Sequence, residues 1–172
     1  MTSLAARQSA ERYTQCAHDC AAMVIRSYST SFAMATRILP SSVRRDISSI
    51  YALVRVADEV VDGAAEGAGL DVERSGARLD ALEADVARAT VEGFSENLVV
   101  HAFADVARRT GLPQSVWSPF FHSMRTDLTR HTHDDASFTE YVYGSAEVVG
   151  LMCLHAFFGD AGVPELHRDE LT

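Results

Sequence analysis

Asp58 and Asp62 stand four residues apart, just after Tyr51 and Arg55. At about 100° per residue, these four side chains fall within an arc of roughly 60° on one helix, bordering its apolar stripe. They therefore face inward or into a cleft. Carboxylates at i and i+4 repel each other, most where water is scarce, so positive charge must offset them. Arg55 offers one such charge. A hard cation is the other candidate, because magnesium takes one or two protein carboxylates and completes its shell with water and phosphate oxygens. A bare Asp-x-x-x-Asp also fits a plain surface ion pair with Arg55 or a neighbouring arginine.

Composition narrows the ligand. The 172 residues carry a net charge of -9, which opposes any broad grip on a nucleic-acid backbone. All 15 basic residues are arginine. This excludes Schiff-base lysine chemistry and a P-loop, while the planar guanidinium suits bidentate capture of diphosphate. Three cysteines and an N-terminus without a signal-like apolar run point to a reducing cytoplasm. The longest apolar stretch, Val148 to Phe158, falls short of the roughly 20 residues a membrane span requires, although peripheral contact with a bilayer stays open.

The elements that position these residues read as all-α, since apolar residues recur at helical spacing and no strand-like alternation is sustained. A first helix is expected over about residues 9–27, then a polar segment from Ser27 to Ser31. Pro40 opens the next helix, with Val43, Ile47, Ile50, Val54, Ala57 and Val61 as its buried stripe. The stretch from Gly63 to Gly69 reads as a loop, and Asp71 as the cap of a helix to Glu92. Ser95 is expected to cap a helix ending near Gly111, and Pro113 to open one running to Thr129. A loop over His131 to Asp135 precedes a capping box at Ser137 to Glu140 and a last apolar helix to Phe158. Two weaker constellations read as structural: Cys16 and Cys20 as core cysteines, and His131-x-His133-Asp-Asp135 as a polar loop.

Ser29-x-Ser31-Phe32, Leu39-Pro40, Arg44, Tyr51, Arg55, Asp58 and Asp62, in that order, resemble the first half of the squalene and phytoene synthase family. The run Tyr141-x-Tyr143-Gly-Ser-Ala146-x-x-Val149-Gly150 resembles the family's next signature, in wording nearest that of bacterial phytoene synthases. The resemblance spans about Ser27 to Asp160. It implies an all-helical isoprenoid-synthase bundle, of which residues 1–172 would be a single helical domain forming the N-terminal portion.

The implied activity is head-to-head condensation of two prenyl diphosphates through a cyclopropylcarbinyl diphosphate, taking geranylgeranyl diphosphate to phytoene. The alternatives are squalene synthesis from farnesyl diphosphate, which also needs NADPH, and a non-catalytic helical subunit or fragment that binds prenyl diphosphates. By resemblance, Asp58 and Asp62 would hold magnesium, with manganese as a substitute. Tyr51, Arg55 and Tyr141 would serve the reaction centre, Ser29, Ser31 and Phe32 would bind substrate, and Ala146, Val149 and Gly150 would line its chain. Asp127 matches a recurring family acid. The sequence departs at Tyr28, where histidine is usual, at Val54, a frequent cysteine, and at Glu147, a frequent glycine. The family's second aspartate-rich motif is not reached; Glu165-x-x-x-Asp169 lacks its pattern and reads as an exposed helix start, so the missing acids would come from a further segment or a partner subunit.

Overall fold

The structure, a computed structural model, describes residues 3–129 and 143–159, which are helical with no strand among them. Helix α1, Leu4–Tyr28, begins before the expected residue 9 because Ser3 caps it, its Oγ accepting from the Ala6 N–H at 3.1 Å. Its small residues Ala17 and Ala21 pack on Ala52 and Ala102, which lets α1 lie close to its neighbours. Ser29 then starts a short helix that periodicity does not announce, α2 (Thr30–Ala35), followed by a 3₁₀ turn at Thr36–Ile38.

Helix α3, Ser41–Val61, follows Pro40 as expected and is the central element, touching α1 and the later helices. Ile47, Ile50 and Ala57 of its stripe are buried, while Val43, Val54 and Val61 are half-buried against the same core. Where a loop is expected, Ala64–Gly67 makes one helical turn, α4. Helix α5, Val72–Glu92, is capped by Asp71, whose Oδ1 accepts from the Arg74 N–H at 2.8 Å, and ends at Gly93 with φ 78°.

One expected cap is wrong. Asn97, not Ser95, caps α6 (Leu98–Thr110). Ser95 is buried before the helix, its Oγ donating to Asp85 at 2.9 Å and accepting from the Asn97 N–H at 3.0 Å. Helix α7, Gln114–Thr129, follows Pro113 and contains Pro119. A π-helical turn at Tyr143–Glu147 leads into α8, Val148–Phe158. Gly144 lets that turn lie against α7: a Cβ there would stand 2.8 Å from the Pro119 carbonyl oxygen.

The main core lies between α3, α5, α6, α7 and α8, with Phe103, Trp117, Phe120 and Phe121 meeting edge to face at its centre. The expected core cysteines are not there: Cys16 is exposed and Cys20 half-buried. The buried residues of that segment are Ala17 and His18, because α1 turns a different face inward. Among the described residues no helix is long and apolar enough to cross a membrane.

Candidate active site

The last two turns of α3 form one wall of a cavity of about 360 Å³, supplying Val54, Arg55, Asp58 and Asp62. Helix α7 supplies the opposite wall through Phe120, Met124 and Asp127, and the π-helical turn adds Ser145. The aspartate pair and Ser145 of the second signature, far apart in sequence, thus line the same space. Apolar Val54, Phe120 and Met124 place the acids beside non-polar surface, where a charge is costly unless matched.

Arg55 meets Glu59 more closely than it meets the aspartates. Its Nε donates to Glu59 Oε1 at 3.0 Å and its Nη2 bonds the same oxygen, whereas Asp58 lies 3.8 Å from Nη1. Glu59 wins because its longer side chain at i+4 meets the guanidinium directly. The Glu59 carboxyl is held below its ordinary range by Arg55 first, then by the Ala64 N–H and Tyr28. Tyr28, the departure from the usual histidine, puts its ring 4.6 Å below the Arg55 guanidinium. Sequence reasoning missed Glu59, although the Arg55–Glu59 spacing was there to be read.

The Asp58 carboxyl is pushed above its ordinary range by burial, and by the negative charges of Asp62, Asp127 and Glu59, with Arg55 only partly opposing this. A cation would relieve that excess. Among the described residues no three acidic, histidine or cysteine side chains converge as a complete metal cage. Two carboxylates on an open cavity suffice for magnesium that takes its other ligands from water and phosphate, so the residues fit this metal.

The remaining expected site residues separate into two groups. On the α1–α2 side of Arg55, Phe32 stacks on Tyr51 with ring centroids 5.6 Å apart, and Ser29 Oγ caps α2 by accepting from the Phe32 N–H at 3.3 Å. Ser31 is exposed on α2. None of these four lines the acidic cavity. On α8 and the turn before it, Ala146 and Gly150 are exposed and Val149 is half-buried against the core. The cavity is lined by their neighbour Ser145 instead, since the π-helical turn rotates Ala146 outward. Tyr141, the His131 to Asp135 loop, the capping box and Glu165 to Asp169 lie outside the described residues.

The squalene/phytoene synthase family profile matches residues 25–170. This chain belongs to that family. It is 35% identical over 128 residues to the 15-cis-phytoene synthase of Paracoccus sp. (strain N81106 / MBIC 01143), covering 72% of this chain and 41% of that protein. It is also 26% identical over 136 residues to the 4,4'-diapophytoene synthase of Staphylococcus haemolyticus (strain JCSC1435), covering 76% and 45%. The chain therefore spans less than half the length of either relative. Among solved structures, a dehydrosqualene synthase in complex with ligand superposes with a TM-score of 0.70 at 22% identity, over 86% of this chain and 49% of that one. The squalene/phytoene synthase member described here thus has the all-α isoprenoid-synthase fold.

Proposed function

We propose that this protein contributes one acid-lined wall of an enzyme that condenses two prenyl diphosphates head to head, with geranylgeranyl diphosphate as substrate and phytoene as product. The observation that carries the reading is the cavity where Asp58 and Asp62 of α3 meet Asp127 of α7 and Ser145 of the second motif. The relatives named as phytoene and diapophytoene synthases supply the reaction class.

Asp58 and Asp62 would hold magnesium, which when bound supplies Lewis-acid neutralisation of the departing diphosphate. Arg55, fixed between Glu59 and the Tyr28 ring, presents its remaining N–H groups to diphosphate oxygens. The stacked Phe32 and Tyr51 offer aromatic faces to positive charge developing on an allylic carbon. Val54, Phe120 and Met124 keep that side of the cavity apolar.

The test is incubation with farnesyl or geranylgeranyl diphosphate and magnesium, with and without NADPH, followed by identification of the hydrocarbon by mass spectrometry. Phytoene formed without NADPH, and lost in Asp58→Asn and Asp62→Asn chains that still fold, supports the proposal. Squalene formed only with NADPH replaces the substrate assignment. Full turnover by the doubly substituted protein overturns the metal assignment, and tight retention of diphosphate without turnover favours a binding subunit.

A further inference from the structure

At the opposite end of α3 lies a second cavity, of about 390 Å³, between α1, the 3₁₀ turn and the first turns of α3. Four arginines line it, Arg26, Arg37, Arg44 and Arg45, against a single acid, Asp19, which accepts a hydrogen bond from Gln15 at 3.0 Å. Elsewhere in the chain Arg55, Arg88, Arg109 and Arg125 each pair closely with a carboxylate. Arg26, Arg37 and Arg44 pair with no carboxylate among the described residues. Arg45 approaches only Asp46, at 3.8 Å, and Arg109 already engages that carboxylate at 2.8 Å. The Arg45 Nε is buried with no hydrogen-bond acceptor.

The α3 N-terminus adds to this field. Pro40 gives no side-chain cap, so the first N–H groups of a 21-residue helix lack a side-chain acceptor, and Ser41 lines the cavity. Holding this much like charge together is unfavourable unless an anion offsets it. Along α3, Arg44 and Asp58 are separated by about 21 Å of helix rise, so this cavity is distinct from the acidic one.

We propose that the arginine cavity is an anion site for a phosphate or diphosphate group that binds without a divalent cation. Guanidinium forks make charge-assisted, bidentate bonds to such groups, and open access from solvent leaves room for whatever the phosphate carries.

Titration calorimetry with inorganic diphosphate in excess chelator tests this. The wild-type chain is expected to bind, Arg37→Gln/Arg44→Gln to lose at least about tenfold in affinity, and Asp58→Asn/Asp62→Asn to keep it. Neither arginine holds a carboxylate among the described residues, so the Arg37→Gln/Arg44→Gln chain should melt like the wild type; Arg44→Gln alone should show part of the loss. A second arm sediments the chain with phosphatidylcholine vesicles containing phosphatidylglycerol. Arginine-dependent sedimentation, displaced by diphosphate, assigns a lipid headgroup as the source. Diphosphate binding without sedimentation assigns a free phosphate ligand. Failure of the wild type to bind either probe, or equal binding by the arginine variant, overturns the proposal.

Discussion

A carboxylate whose ionised form is disfavoured by its surroundings weakens the fold it sits in, and Asp58 is such a group. Burial, with Asp62, Asp127 and Glu59 nearby, outweighs the help of Arg55 and raises its pKa. A raised carboxyl pKa means that the folded chain binds the proton more tightly than the unfolded chain, so this contribution costs stability above the raised pKa and is relieved as pH falls through it. Asp58→Asn should therefore stabilise the metal-free protein, by about 0.2 to 0.5 kcal/mol, the usual scale for like-charge crowding on a partly exposed helix. Magnesium should raise the melting temperature of the wild type and leave the variant nearly unmoved. Thermal melts in chelator and in magnesium check both; destabilisation of the metal-free variant would show that Arg55 dominates Asp58 after all. The carboxylate pair was legible from spacing alone. Its electrostatics were not, because Glu59 diverts Arg55 and Asp127 arrives from a distant helix.

Elements ended where local chemistry dictates, which is why much of the helix order could be read in advance. Asp71 caps α5, and Gly93 and Gly111 end α5 and α6 with φ of 78° and 63°. What escaped reading depends on contacts across the chain. Ser95 is drawn from its capping position by Asp85, and the six-residue α2 is too short to show a period. The π-helical turn is another such contact, and two glycines separate its consequences. At Gly144, a methyl group would meet the Ser123 Oγ, which can rotate, and the Pro119 carbonyl oxygen at 2.8 Å and Ser123 Cβ at 2.9 Å, which cannot. Gly144→Ala should cost about 1 to 3 kcal/mol, the range for overpacking, and should shift Ser145 at the acidic cavity. Gly150, inside α8, has no described atom within 4 Å of an added Cβ. Gly150→Ala should be neutral or gain up to about 1 kcal/mol from helix propensity. Denaturant titration of the two variants distinguishes a packing requirement from a general intolerance of substitution in this motif.

At the scale of the molecule, the site depends on a polar seam that fixes α3 against α1 and α6. His18 Nδ1 lies 2.9 Å from Ser49 Oγ, and its Nε2 lies 2.9 Å from Asp105 Oδ2. Arg109 bonds Asp105 at 3.0 Å and buried Asp46 at 2.8 Å, so one guanidinium joins two acids from different helices. Only the Asp105–Arg109 spacing was legible in the sequence; His18 and Asp46 join them from distant positions with no shared motif. Arg109→Met would leave buried Asp46 with only Arg45, 3.8 Å away, at a cost of up to about 3 kcal/mol, and Asp46→Asn in the same chain should recover part of it. The seam also predicts an acid response. Burial alone would raise the Asp105 carboxyl, but hydrogen bonds from His18 and Arg109 prevail and lower it from 3.8 to about 2. A depressed carboxyl pKa stabilises the fold above the unfolded value and loses that effect as pH falls through the folded one. Roughly 2 kcal/mol of stability should thus disappear between about pH 4 and pH 2. Asp105→Asn should be less stable at neutral pH and shallower in its acid decline. Equal acid slopes for wild type and variant, measured by chemical denaturation across that window, would place the acid sensitivity elsewhere. Loss of the seam should also impair the acidic cavity from a distance, because the helix it anchors is the one that carries Asp58 and Asp62.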